Sequence, residues 1–457
     1  MFPIPLPRAL AGAVLLIGAT VTQAATFSVT VPQDVYDGIC DKHCSLRDAV
    51  AAANRKSGGD RIVLPEGSYD LSLKNPLDGN RQPIDEDNNA LGDLDVTDRL
   101  VISGDGMFRT TLYGLINDRL IEVRPDAQLT LEHMTLGNGR SVLNGGAVEN
   151  HGTLEVRDVL VINNRVFAWE PSNEPGDRFH DGRGGGIASY GKLTVIASRF
   201  QDNAALGDEI YGGLGGAIYS KGTLWVQDSF FHYNFAGTPY DTGAGAAIFN
   251  SGQARIERSA VIDHVAQEYP DGGAITNDGG TLELLNSTLS GNEGSLTNGF
   301  YDEATGQSKA ILTNVTITRS PCYVFGNCHE AVINGGDLSI RNSIIAGNGE
   351  GGSEDNCMNV GRYYRYRSKG LLTNDDGGNC TGDYYVRFVE TFEKVLSEQL
   401  AVDNGSTDFH RLLPGSPAVD AGIAKCTAHD QRGVRRPQDG NGDGLAVCDL
   451  GAYELAE

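Results

Sequence analysis

Residues 215–234 read GGAIYSKGTLWVQDSFFHYN, and the chain writes nearly that sentence again and again. Copies begin at Gly145 (GGAVENHGTLEVRDVLVINN), Gly184 (GGGIASYGKLTVIASRFQDN), Gly245 (GAAIFNSGQARIERSAVIDH) and Gly272 (GGAITNDGGTLELLNSTLSGN). A weaker copy, AVINGGDLSIRNSIIAGN, begins at Ala331. Aligned on Ala147, Gly186, Ala217, Ala247, Ala274 and Ala331, the last step is long enough for two rungs, and AILTNVTITRS from Ala310 supplies a half-copy between. Each copy holds three short apolar runs, such as Ala217–Tyr219, Thr223–Val226 and Ser229–Phe231, in which apolar and polar residues alternate as they do in strands. Turn residues separate the runs, and no crossover helix intervenes. Such a period predicts an all-β, right-handed parallel β-helix in which each rung buries its apolar face against the next. Rungs about 4.8 Å apart turn equivalent residues into ladders. Asn164, Asn203, Asn234, Asn292 and Asn348, with His264 and Ser320 in two rungs, form one such ladder and are expected to be structural.

The ends of a solenoid need caps. Ser45-Leu46-Arg47-Asp48 reads as a capping box, with Leu46, Ala49, Val50 and Ala53 following at helical spacing, so a short N-terminal helix covers the first rung. After Gly349 the repeat dissolves into dense turn signals and four cysteines. Residues 1–24 look like a secretory signal, with an apolar run from Ala9 to Val21 and a small residue at Ala24. The organisation expected is signal 1–24, cap and first rungs 25–125, repeats 126–349 and C-terminal cap 350–457.

The 36 Lys and Arg stand against 60 Asp and Glu, a formal charge of −24, which argues against nucleic acid and anionic lipid as partners. No stretch after the signal is long and apolar enough to span a membrane. The eight cysteines are expected to pair locally as Cys40–Cys44, Cys322–Cys328, Cys357–Cys380 and Cys426–Cys448. These features predict a secreted, cell-surface or periplasmic protein.

Several stretches carry a family resemblance. CSLRDAVAAAN (44–54) resembles the CSLREA-type N-terminal domain of exported bacterial proteins, and GDLDVTDRLVISGDG (92–106) matches the segment that usually follows it. NSIIAGN (342–348), LLPGSPAVDAG (412–422) and DQRGVRRPQDGNGDGLAVCDLGAYE (430–454) resemble the choice-of-anchor Q C-terminal domain. The GGAI and FxxN copies are similar to repeats of the polymorphic outer membrane proteins. The resemblance implies an extracellular or surface β-helix and supplies no catalytic residues. Many such proteins carry a sorting tail after GAYE; this sequence ends at Ala456-Glu457, so release is expected over covalent anchoring.

The corners between each Asn and the next Gly pair carry aromatics and carboxylates. Trp169, Tyr211, Tyr240, Tyr269 and Tyr301 are candidates to stack on sugar rings. Glu170, Glu209, Asp241 and Asp271 are the candidate acids and bases, because carboxylates one or two rungs apart span the separations of glycosidases. The first insert, AWEPSNEPGDRFHDGRG (168–184), adds His180, Asp181 and Arg183 on a long loop. DGNGDG (439–444) places Asp439, Asn441 and Asp443 at alternate positions before Gly444, like the start of a calcium loop, with Asp449 near the end. GRYYRYRSKG (361–370) reads as an edge strand that basic residues protect from pairing. The motifs typical of polygalacturonases are absent from the repeats. The leading expectation is therefore a protein that acts by binding carbohydrate or surface and matrix components. A polysaccharide hydrolase or lyase working along the aromatic–acidic edge is the alternative, and a structural spacer a third.

Overall fold

One rung shows how the repeat becomes a coil. Ile218–Ser220, Thr223–Gln227, Phe230–His232 and Phe235–Gly237 are strands, and each pairs in parallel with its counterpart one copy later. Ile218 faces Ile248, Leu224 faces Ala254, Phe231 faces Val261 and Phe235 faces Val265. The same registers run through the copies, so the chain is a right-handed parallel β-helix, as the period predicts. This computed structural model describes residues 24–76, 86, 88–115, 118–168, 181–207, 212–237, 243–266, 272–299, 308–321, 330–349, 356–375, 379–403, 405 and 407–456.

The four strands define four faces, called first to fourth in the order above. The fourth, built from Arg165–Phe167, Ala204–Leu206 and Phe235–Gly237, is not among the three runs that alternation marks. Its strands are short and share no pattern of apolar and polar residues from copy to copy, which is why sequence periodicity passes over them. The missing rung before Ala331 is also present: Leu296–Asn298 pairs with Ile275–Asn277 on one side and Val332–Asn334 on the other.

Corners between faces use left-handed backbone. Ala197, Asp228, Arg258 and Asn286 have φ of 49, 51, 48 and 46° between the second and third faces. At the corner entering the first face only glycine fits: Gly215 has φ 71°, and a Cβ there would lie 2.2 Å from the carbonyl oxygen of Ile218.

Inside the coil, apolar residues stack on their own kind, as when Phe200 and Phe231 lie parallel with centroids 4.9 Å apart. Polar side chains line the corners as hydrogen-bonded ladders. Asn164 Nδ2 donates to Asn203 Oδ1, and Asn203 Nδ2 to Asn234 Oδ1, each at 2.9 Å. His264 continues this ladder, with Nε2 3.2 Å from Asn234 Nδ2 and Nδ1 3.0 Å from Asn292 Oδ1. A second ladder climbs the first face through Asn250, Asn277, Asn298, Asn334 and Asn359 at 2.7–3.0 Å. These amides satisfy buried backbone groups that the tight corners leave over.

The helix Leu46–Asn54 closes the N-terminal end. Its capping box is formed by Ser45 and Asp48, as expected. Arg47 is wholly buried beneath it, 2.7 Å from Asp34 and bonded to the carbonyls of Leu91 and Gly92. At the other end Arg365–Thr373 pairs with Asp337–Ile345. The chain then doubles back along the third face. Phe409, Leu412, Leu450 and Tyr453 bury Ile344 and Leu372, His410 Nε2 lies 2.9 Å from Ser290 Oγ, and Thr407 reaches the carbonyl of Arg258 at 3.1 Å. Disulfides join Cys40–Cys44, Cys357–Cys380 and Cys426–Cys448 as expected, which fits an oxidising extracellular compartment. Cys322 and Cys328 lie outside the described residues. No helix among the described residues is long and apolar enough to cross a membrane.

Burial holds the His264 pKa down from 6.5 to about 3, so the folded chain keeps this ring neutral where the unfolded chain would protonate it. A depressed histidine gives stability that is present above the unfolded value and is lost as pH falls toward the folded one. His264→Asn restores the ladder residue and removes that proton. We expect melting temperatures measured from neutral pH downward to fall less steeply in the variant than in the wild type.

Candidate active site

On the first face, side chains of each three-residue strand alternate. Val148, Ile187, Ile218 and Ile248 point into the core, so Glu149, Ala188, Tyr219 and Phe249 point outward. Registers extend this outer ladder backward through Glu122 to Asp95. It therefore runs from three acids, across the small Ala188, to two aromatics. The turn after each strand adds a second ladder, in which His151 and Tyr190 are stacked neighbours, centroids 5.0 Å apart and planes 8° from parallel. Tyr219 and Phe249 stack in the same way at 5.5 Å.

The outward acids are nonetheless buried. Glu122 and Glu149 are 6% and 7% exposed, an unusual state for carboxylates outside the core. Arg119 holds them, with contacts of 3.2 Å to Glu122, 3.1 Å to Glu149 and 3.5 Å to Asp93. Burial opposes the charge of Arg119, but Asp93, Glu149, Asp118 and Glu122 together push its pKa well above the ordinary value. Arg124 adds a 2.9 Å contact to Glu122.

Where the acids meet the aromatics, groups able to move protons converge. His151 Nε2 lies 3.1 Å from Glu149 Oε1. With Nε2–H donated to that carboxylate, Nδ1 carries the free lone pair. The Tyr190 hydroxyl donates to Asn144 Oδ1 at 2.8 Å and is also bonded by Arg183. Burial raises the Tyr190 pKa, which keeps the phenol protonated. Arg183, from the strand Gly182–Arg183, stands 5.6 Å over the Tyr219 ring, and Asp181 lies 3.5 Å from it. Burial opposes the Arg183 charge, yet Tyr190, Tyr219 and Asp181 leave its pKa raised. A base, an acid, a guanidinium and an aromatic face thus share about three rungs, roughly 10 Å of coil.

Of the residues that sequence reading singles out, Asp181 and Arg183 belong to this cluster. The candidate acids Glu170, Glu209, Asp241 and Asp271, the candidate stacking residues Trp169, Tyr211, Tyr240, Tyr269 and Tyr301, and His180 lie outside the described residues. Glu149, His151, Tyr190 and Arg119 escaped attention. Glu149 alone leaves a signal in the alignment: the column after each GGA-type pair alternates, and its outward position reads Glu149, Ala188, Tyr219, Phe249.

Asp420 links the DGNGDG turn to Asp449: its carboxylate accepts the Asn441 amide at 2.8 Å, and its own amide donates to Asp449 at 2.7 Å. Asp439 accepts the amides of Gly442 and Gly444 at 2.8 Å, and Asn441 and Asp443 continue that exposed turn. Asp449 is buried and accepts the amides of Asp420 and Leu455, with burial raising its pKa to about 7. Nearby, Arg436 pairs with Glu454 at 2.7 Å, so the GAYE end is an internal staple. Among the described residues no three His, Cys, Asp or Glu gather as metal ligands.

Known structures of similar fold include the pectate lyase Pel9A, 12% identical over 95% of this chain and 98% of that one, with a TM-score of 0.49. A PL6 alginate lyase in complex with a trisaccharide is 12% identical over 90% and 95%, with a TM-score of 0.40. The A-module of a mannuronan C-5 epimerase from Azotobacter vinelandii is 13% identical over 79% and 99%, with a TM-score of 0.36. No protein-family model matches the sequence, and no curated protein matches it. The structures of like fold are named as polysaccharide-processing enzymes, and the leading expectation of a protein acting by binding alone is corrected accordingly. The likeness is one of fold, so any reaction has to be argued from the residues.

Removing one partner from a buried ionic cluster leaves the rest uncompensated, at a cost of roughly 3–5 kcal/mol. Arg119→Ala is expected to lower unfolding free energy by about that amount in denaturant titration, while substitution of the exposed Lys309 leaves it nearly unchanged.

Proposed function

We propose that the protein cleaves an acidic polysaccharide by β-elimination on the first face. The observation that supports this reading most is the stacked pair His151–Tyr190 beside Arg183, set between buried acids and an aromatic platform. The arrangement favours elimination over hydrolysis. Hydrolysis needs two carboxylates free to act on the glycosidic bond and on water, whereas Glu122 and Glu149 are held by Arg119.

In the elimination, the Arg183 guanidinium pairs with the uronate carboxylate and makes the adjacent C5 hydrogen acidic. His151 Nδ1 takes that proton, and Glu149 stabilises the imidazolium. The C5–H electrons form the C4–C5 double bond, the C4–O bond breaks, and the Tyr190 hydroxyl gives its proton to the departing oxygen. Proton exchange with water then returns both side chains to their starting states. Tyr219, itself buried and stacked on Phe249, backs the Arg183 guanidinium. The acidic surface of the molecule makes local cations such as Arg183 necessary for an anionic chain to approach. Export through the N-terminal signal, toward extracellular or surface polymer, belongs to the same proposal. A structural calcium ion at the Asp439–Asp443 turn is a separate one, and a chelator-induced drop in Tm would support it.

Incubation with polyuronates is expected to yield products that absorb in the ultraviolet through the new C4–C5 double bond. His151→Ala and Tyr190→Phe should each lower that rate by about 10²–10⁴-fold with the fold intact by circular dichroism. Reducing ends released without the double bond would overturn elimination in favour of hydrolysis.

A further inference from the structure

A different face of the coil carries a second depression, with a volume of about 520 Å³. It exists because the third face is covered at two places and bare between. At one end the segment around Met107 and Phe108 lies over the coil, with the Met107 carbonyl accepting from Thr135 Oγ1. At the other, the returning C-terminal chain is pinned by Thr407 to the carbonyl of Arg258. The outward positions of the rungs between them, Arg199 and Phe230, form the floor.

The charges in this cleft are unevenly committed. Asp228 is gripped by Arg258 through contacts of 2.7 and 2.9 Å, and Asp158 lies 2.8 Å from His133. Arg199 is exposed, and its guanidinium lies 5.5 Å over the Phe230 ring; among the described residues it makes no ion pair. In a chain with 60 acids and 36 bases, an Arg set over an aromatic ring and, among the described residues, in no ion pair is a poised anion contact. Asp408 faces the same space, its carboxyl raised by burial while Arg199 and His232 oppose and Asp263 adds to the rise.

We propose that this cleft is a second polysaccharide-binding site, taking one carboxylated sugar unit outside the catalytic face. A ligand here meets one uncommitted cation, one aromatic face, and carboxylates that accept hydrogen bonds. A singly charged sugar with many hydroxyls satisfies all three. A phosphate dianion would meet Asp158, Asp228 and Asp408 with a single guanidinium to balance it. That the sugar belongs to a polymer rests on the reading of the first face; the cleft's preference for a carboxylated ring does not.

The test is affinity electrophoresis in gels containing polygalacturonate, alginate or neutral dextran, with wild type, His151→Ala, Arg199→Ala and Arg199→Lys. Wild type is expected to be retarded by a uronate polymer and not by dextran. Arg199→Ala, a change at an exposed side chain, should weaken that retention at least about tenfold, and Arg199→Lys should keep part of it. Equal retention of Arg199→Ala and wild type overturns the proposal, as does wild type that no uronate polymer retards, or equal retardation by dextran. Because the readout is retention, a failure of the lyase reading leaves it interpretable: His151→Ala with full turnover would sink that reading alone.

Discussion

Everything in this molecule depends on parallel hydrogen bonding between successive coils at unshifted register. That one constraint makes residues about thirty positions apart into contact neighbours, and it explains both what is buried and what is chemically possible. Three kinds of ladder follow from it. Apolar ladders fill the core, as with Phe200 and Phe231. Amide ladders at the corners satisfy backbone groups where the chain bends left-handed, as from Asn164 to Asn234. Outward ladders on the faces lie outside the main core, and there function can be written. The buried carboxylates of the first face are costly to keep unless paired, and Arg119 pairs them.

The coil also explains why the two clefts differ. The first face presents side chains from strands and from the turn that follows, so His151 and Tyr190 stand beside Glu149 and Tyr219 on a rigid floor. The third face is a floor of short strands whose walls are borrowed: one from the early rungs, one from the C-terminal segment that folds back over it. Gln431 Nε2 donates to Thr407 Oγ1 and to the Asp408 carbonyl at 2.8 Å, so the C-terminal segment helps to shape the second cleft.

Much of the fold was legible because periodicity is a direct image of stacking. The Gly pairs, the alternation in Thr223–Gln227 and the closing Asn of each copy translate without loss into corner, strand and ladder. Ser45 and Asp48 announced the capping helix by local chemistry alone. The fourth face was not legible, since Ala204–Leu206 and Phe235–Gly237 carry no alternation. Of the candidate site, Arg183 was visible because it sits on a long insert. His151 and Tyr190 were not: each stands in a turn, 39 residues from the other, and only register shows that they touch. Arg199 and Asp408 are 209 residues apart, and nothing local links them.

The account's central claim is that the first face is where an acidic sugar chain is held for proton transfer. A crystal structure of the Tyr190→Phe protein soaked with an oligouronide tests it most directly. The account predicts a uronate carboxylate on Arg183 and C5 within reach of His151 Nδ1. A saccharide ordered elsewhere on the coil, with this face empty, would contradict it.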